Sequence, residues 1–379
     1  MTQPLPLLSA PVAPAAPAPS PVAFPLTWLL DHASPAIQYR AIADVAKAPP
    51  DIKYQAAALA YSFKPALWLA VTQGLDGSWN NSMFTVPSAK AAHFEGIGTI
   101  HAVRRLLEYG WDKDSPPLVH SRRLLFRLLA EDNDPSYLFE LQPTKGARSE
   151  GNARNRLILR AAAAALLAQA GYEDDPRLRG AAKRMIEKTG NWLRGAASLK
   201  PFVRVGNKQV LSADAMPPST WLLWMLSFMP HFRNEHHEEM GLIYRQISQP
   251  MPRQDPIQII GDKLVPQPHL VLGDELPHRN AVDADIPRAL AWLELMARIG
   301  FLKRNENWMK MFERFVDDRD SQGVWHPHKG MSTPRSSDPF PWGLFPLEPP
   351  GDREEQKWTD VTFRIGLIAR LAGRQIDLR

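Results

Sequence analysis

Ala162-Ala163-Ala164-Ala165-Leu166-Leu167-Ala168-Gln169-Ala170-Gly171-Tyr172 is an apolar helix stopped by a glycine, with an aromatic after it. A glycine just past a helix takes the left-handed cap at no steric cost, and the aromatic that follows can fold back on the last turn. The same phrase runs from Ala102 to Gly110 with Trp111 after it, and from Ala289 to Gly300 followed by Phe301. Gly110 and Gly171 are 61 residues apart, and Gly171 and Gly300 are 129 apart, about twice that spacing. A missing unit should therefore end near position 230. The helix from Trp221 to Met229 does, stopped by Pro230.

Extended outward, the repeat predicts further endings near Lys47, ahead of Pro49-Pro50, and at Gly373. Six first helices thus end near 47, 110, 171, 230, 300 and 373. Second helices are expected over 51–63, 115–130, 175–189, 234–248 and 304–317, with Leu26–Asp31 standing in for the sixth. First helices such as Leu157–Leu167 and Trp221–Met229 are apolar nearly all round, which suits an inner position. The predicted fold is all-α: an α/α toroid of about six helical hairpins, first helices inside and second helices outside. Pro-rich stretches at 195–217, 249–282 and 327–356 are too long for simple connectors and are expected to cover one mouth. Two of them carry short β-hairpins, around Gly206-Asn207 and Gly261-Asp262.

Residues 1–25 are rich in Pro and Ala and carry no charged side chain. Recurrent prolines break any export-signal core, so this stretch reads as a disordered tail packing against nothing, with one folded domain over 26–379. There are no cysteines, which excludes disulfides and thiolate zinc sites. Net charge is +5, from 45 Lys+Arg against 40 Asp+Glu, with no basic block apart from the acids, which argues against nucleic acid. No apolar run reaches the about 18 residues that span a membrane, although peripheral contact with an anionic surface stays open. A cytoplasmic protein is expected.

Gln73-Gly74-Leu75-Asp76-Gly77-Ser78-Trp79 has the Gln-Xaa3-Gly-Xaa-Trp spacing of a QW repeat, and Arg319 to Trp325 is a copy with arginine in place of the glutamine. Together with Ser34 to Arg40, Gly98-Thr99, Gly151-Asn152 and Lys357 to Thr359, these residues resemble the prenyltransferase/squalene-oxidase-repeat proteins. The resemblance to squalene–hopene cyclases implies a toroid over roughly 26–373. It also implies a glutamine capping an outer-helix end and a tryptophan stacked on the next turn. Both tie neighbouring units together.

In a toroid the positive ends of the inner helices converge on one mouth, so the residues opening them are the site candidates. They are Gln38, Tyr39, Thr99, His101, Glu150, Asn152, Asn155, Thr220, Trp221, Asp283, Asp285, Trp358, Thr359 and Asp360. Helix capping alone explains Thr99, Asn152, Asp285 and Thr359. Asp283 and Asp285 are the catalytic candidates. The resemblance implies an aspartic acid that protonates an alkene from an Asp-Xaa-Asp-Asp motif, but here the run is Asp283-Ala284-Asp285-Ile286, without the final Asp. The binding candidates at the mouth are His101, Glu150, Asn152, Trp221, Trp358 and Asp360.

No cofactor motif occurs. His236-His237-Glu238-Glu239 lacks the one-face spacing of metal ligands, so no metal is expected. Asp317-Asp318-Arg319-Asp320 reads as a solvated turn, and His326, His328 and His278 read as loop histidines. Three functions remain open. The first is a terpenoid-cyclase-like protein holding an apolar isoprenoid in an aromatic-lined cavity. The second is a non-catalytic toroid whose rim binds a protein or glycan. The third is a carbohydrate-active barrel using Glu150 with Asp283 or Asp360.

Overall fold

The computed structural model describes residues 20–87, 94–130, 150–276, 286–326, 347–348 and 353–379. The described chain is mainly helical, with a few short strands. The first helices are α2 (Pro35–Arg40, continued by a π turn over Ala41–Ala46), α5 (Thr99–Glu108), α7 (Glu150–Gln169), α9 (Thr220–Ser227), α12 (Ile286–Ile299) and α14 (Gln356–Leu371). The second helices are α3 (Pro50–Ser62), α6 (Pro116–Leu129), α8 (Pro176–Arg194), the pair α10 (Pro230–Glu235) and α11 (His237–Ile247), and α13 (Glu306–Asp317). Each first helix stops within a few residues of its predicted end. Two helices complete the set: α1 (Leu26–His32), where the sixth second helix was expected, and α4 (Lys64–Val71), which follows α3.

The stop signals share one geometry. Gly110, Gly171, Gly300 and Gly373 all have φ between +67° and +90°. In each case the residue after the glycine returns its N–H to a carbonyl five residues back: Trp111 to Leu106, Tyr172 to Leu167, Phe301 to Met296 and Arg374 to Ala369. The side chain that follows also reaches a neighbouring helix. Trp111 donates its indole N–H to Ala60 O on α3 at 3.0 Å, Tyr172 meets Phe126 on α6, and Phe301 meets Tyr244 on α11. Arg374 takes the same place in the last unit and binds Glu313 on α13. A side chain at this position therefore links its unit to the preceding one.

First helices pack side by side in the order α5, α7, α9, α12, α14 and α2. Their C-terminal ends meet one another: Gln169 bonds Glu108, Arg298 lies over Phe228, and Arg370 donates to Val45 O. They therefore run in one direction. The core between them is a continuous apolar cluster that includes Ile37, Leu106, Leu166, Leu223, Leu293 and Phe363.

Four short strands, β2 (Phe202–Val205), β3 (Lys208–Leu211), β4 (Ile257–Ile260) and β5 (Lys263–Pro266), form the two expected hairpins. The hairpins join into one sheet through the parallel contact of Leu211 with Gln258. Gln258 also accepts from Arg154 near the start of α7, at 2.8 Å.

The reading of residues 1–25 as packing against nothing needs correction at its end; residues 1–19 lie outside the described residues. Val22–Phe24 form β1, paired in parallel with β6 (Ile376–Leu378). Val22 and Phe24 are fully buried, Phe24 against Gly366 of α14. Composition concealed this because one strand of three residues is enough to bury two large side chains. Removing residues 1–25 should lower the melting temperature by several degrees relative to a chain starting at Ser20, since burying one such side chain is worth about 1.5–3 kcal/mol. Equal melting temperatures in a calorimetric comparison would contradict it.

Candidate functional site

Both QW-like segments are built alike. Gly77 and Gly323 have φ of +85° and +97°, and Trp79 and Trp325 are buried. The Trp79 backbone N–H goes to Thr99 Oγ1 at 3.0 Å, and that of Trp325 to Thr362 Oγ1 at 3.1 Å, so each segment is pinned to a first helix. Gln73 donates to Gly77 O at 3.1 Å and to Pro117 O in the first turn of α6 at 2.9 Å. It thus binds one end of an outer helix, the start of α6. The Trp79 indole donates to Leu69 O on α4 at 2.8 Å. Arg319 replaces the glutamine by donating to Ala23 O of β1. Asp320 accepts from the N–H groups of Gln322, Gly323 and Val324, which makes the acidic run a turn scaffold.

Of the predicted site residues, Asp283 and Asp285 lie outside the described residues, as do the side chains of Glu150 and Asn152 at the opening of α7. His101 and Trp221 are brought together by Phe84, whose ring lies 6.3 Å from His101 and 6.2 Å from Trp221. Burial, reinforced by Arg104, pulls the His101 imidazole down to a pKa of about 4, so it is neutral near pH 7.

Trp358 belongs to a second group, with Trp28 parallel to it at 6.5 Å and His326 edge-on at 4.4 Å. Asp360 is buried beside that group, accepting from Arg364 Nε at 2.9 Å and from the Leu347 N–H. Next to it lies Glu348, which the sequence reading missed. It accepts from the Ser34 N–H at 2.8 Å and from Thr359 Oγ1 at 3.2 Å. Burial, with Asp360 nearby, pushes the Glu348 carboxyl up to about 7. Among the described residues no three His, Asp or Glu side chains gather as metal ligands.

Among the described residues, a further buried polar network involves side chains that do not open the helices. Arg40 on α2 donates to Glu108 on α5 at 2.8 Å and to Asp44 at 2.9 Å. Gln169 on α7 donates to Glu108 at 2.9 Å and accepts from the Trp224 indole on α9 at 2.9 Å. On the other side Glu294 of α12 accepts from Arg298 at 2.9 Å and from Arg364 of α14 at 2.9 Å. All six first helices contribute to this network. Burial alone would raise the Glu108 carboxyl, but Arg40, Arg364, Arg298 and Arg104 outweigh it and hold it at about 2.

The guanidinium groups also cover the aromatic faces. Arg104 lies 4.5 Å from the Trp224 ring centre and 5.7 Å from that of Trp221. Arg298 is 4.7 Å from Phe228 and Arg40 is 5.0 Å from Phe363. A signal was present in the sequence. Arg40/Asp44, Arg104/Glu108, Glu294/Arg298 and Asp360/Arg364 are opposite charges spaced i, i+4 on helices that are otherwise apolar.

No known protein family, curated protein or solved structure matches the chain.

Proposed function

We propose that the chain is an α/α toroid of six helical hairpins that works as a binding protein at its rim, and not as an isoprenoid cyclase. The side-by-side order of the parallel first helices supports the toroid, as does the Arg40–Glu108 contact between the two ends of that order. One observation carries the functional reading. A cyclase stabilises its carbocation on the negative faces of aromatic rings, and here Trp221, Trp224, Phe228 and Phe363 already hold the arginine cations Arg104, Arg298 and Arg40. A second positive charge in that space would be repelled in a low-dielectric interior.

The rim surface suited to binding is the partly exposed group of Trp28, Trp358 and His326. Partly exposed aromatic rings of this kind suit contact with a sugar ring or a protein loop.

Incubation with squalene and with geranylgeranyl diphosphate should give no product and no rise in melting temperature. Asp283→Asn and Asp285→Asn should then change stability only, by about 1 kcal/mol where a cap is lost. Turnover of either compound that disappears in Asp285→Asn would overturn the reading in favour of a cyclase.

A further inference from the structure

A helix that is apolar all round is normally buried, and α4 is apolar on both faces while lying at the surface. Ala66 and Leu69 are buried, but Leu67, Trp68 and Val71 are 41%, 44% and 72% exposed. Leu75, in the QW turn that follows, is 106% exposed, so its whole side chain stands in water. Hydrogen bonds close that turn: Gly74 N–H to Ser78 O, Gly77 N–H to Gly74 O, and the Ser78 N–H and hydroxyl to Asp76. The second QW-like segment supplies an internal comparison. Setting Gln73 on Arg319, Gly77 on Gly323 and Trp79 on Trp325 lays α4 on the end of α13, with buried Ala66 and Leu69 falling on buried Phe312 and Phe315. In that register Leu67, Trp68, Val71 and Leu75 fall on Glu313, Arg314, Asp317 and Ser321. The same local architecture is thus built elsewhere in this chain with polar side chains at all four outward positions, and folding does not call for apolar ones.

We propose that α4 and the turn holding Leu75 dock the protein peripherally on an anionic lipid surface. Charge, shape and side-chain chemistry favour lipid over a protein partner. From Ile52 through Leu75, most of α3 and all of α4, the chain carries no acid, and its charges are Lys53 and Lys64. Asp76, next in sequence, is turned onto Ser78, and Asp112, which reaches α3, is bound to the Tyr61 hydroxyl. Residues 88–93, outside the described residues, add Lys90 and His93 to the sequence and no acid. Lysines beside an apolar face are drawn to anionic headgroups. A stable protein interface takes about 20–30 residues a side in close fit, whereas a lipid surface accepts a few protruding side chains without a matching pocket. A half-exposed tryptophan between leucine and valine suits the boundary of headgroup and acyl chain. No helix among the described residues is long and apolar enough to cross a membrane, so the contact is peripheral. It uses none of the rim residues and stands if the rim reading fails.

The test is co-sedimentation of the full chain with vesicles of phosphatidylcholine, alone and with phosphatidylserine added, together with its sedimentation-velocity mass without lipid. Wild type should be monomeric and pellet with the mixed vesicles, and less with the neutral ones. Val71→Asp combined with Leu75→Ser, the residue types of Asp317 and Ser321, should weaken binding about tenfold or more, because two apolar side chains no longer enter the lipid. Both positions are exposed, and an unchanged melting temperature shows that the variant is folded. Should it melt early, Leu75→Ser alone serves, with the same expected direction. Lys53→Ala with Lys64→Ala should remove the preference for phosphatidylserine while leaving binding to neutral vesicles. The proposal is overturned by no pelleting with either vesicle at millimolar lipid, or by binding that the Val71 and Leu75 variants leave unchanged. A wild-type dimer that those variants turn into a monomer also overturns it, making the face a contact between copies.

Discussion

Glu108→Ala should cost about 3–5 kcal/mol in urea unfolding, the usual scale for stranding the partner of a buried ion pair. Glu108 is 2% exposed and ends α5. Its two oxygens serve Arg40 and Gln169, and through Gln169 the Trp224 indole. Without it the Arg40 guanidinium keeps Asp44 and the backbone carbonyl of residue 108 but loses its buried carboxylate, and Arg104 loses the acid that most favours its charge. Replacing both members, Glu108→Leu with Arg40→Met, should recover a large part of the loss, because a well-packed apolar pair needs no desolvation.

The same pair sets an acid response. Glu108 sits at about 2 in the folded chain against an ordinary 4.5, so its contribution is present above pH 4.5 and drains away as the pH falls toward 2. Wild type should therefore lose stability over that window more steeply than Glu108→Gln. A Glu108→Ala variant within about 1 kcal/mol of wild type, or parallel acid profiles, would show that the network contributes little.

The second large effect is expected at Gly77. An added Cβ there would lie 2.7 Å from His120 O and 2.8 Å from its carbonyl carbon, both backbone atoms of α6 that cannot swing aside. Left-handed strain adds to the clash, since φ is +85°. Gly77→Ala should cost roughly 2–5 kcal/mol, combining about 1–2 for the backbone and about 1–3 for overpacking. Gly171→Ala is the control. Its φ is +88°, but no atom lies within 4 Å of the added carbon, so only the strain remains. Thermal unfolding of the two variants decides the matter; equal losses would mean that the QW turn is not held against α6.

The helix ends were legible because glycine, proline and the i+1 aromatic are local signals that act within one turn. Gly110, Gly171 and Gly300 stop their helices where the sequence says, and Trp111, Tyr172 and Phe301 mark the junctions. What local reasoning missed is non-local. Glu108 finds Arg40 across 68 residues, and Glu348 finds Ser34 across 314. The four i, i+4 charge pairs could have been found by asking why apolar helices carry charges at all. The emphasis on helix openings instead drew attention to Asp283 and Asp285.

The β1–β6 pairing has a consequence for synthesis on the ribosome. Val22 must wait for Ile376, which is made 354 residues later. At about 5–20 residues per second, that leaves Val22 and Phe24 without their shelter for roughly 20–70 s. Throughout that interval a nascent chain carries an unsatisfied three-residue edge and two bare apolar side chains at its leading end. A chaperone that shields emerging segments should therefore raise the yield of native protein more for this chain than for one whose strands are neighbours in sequence.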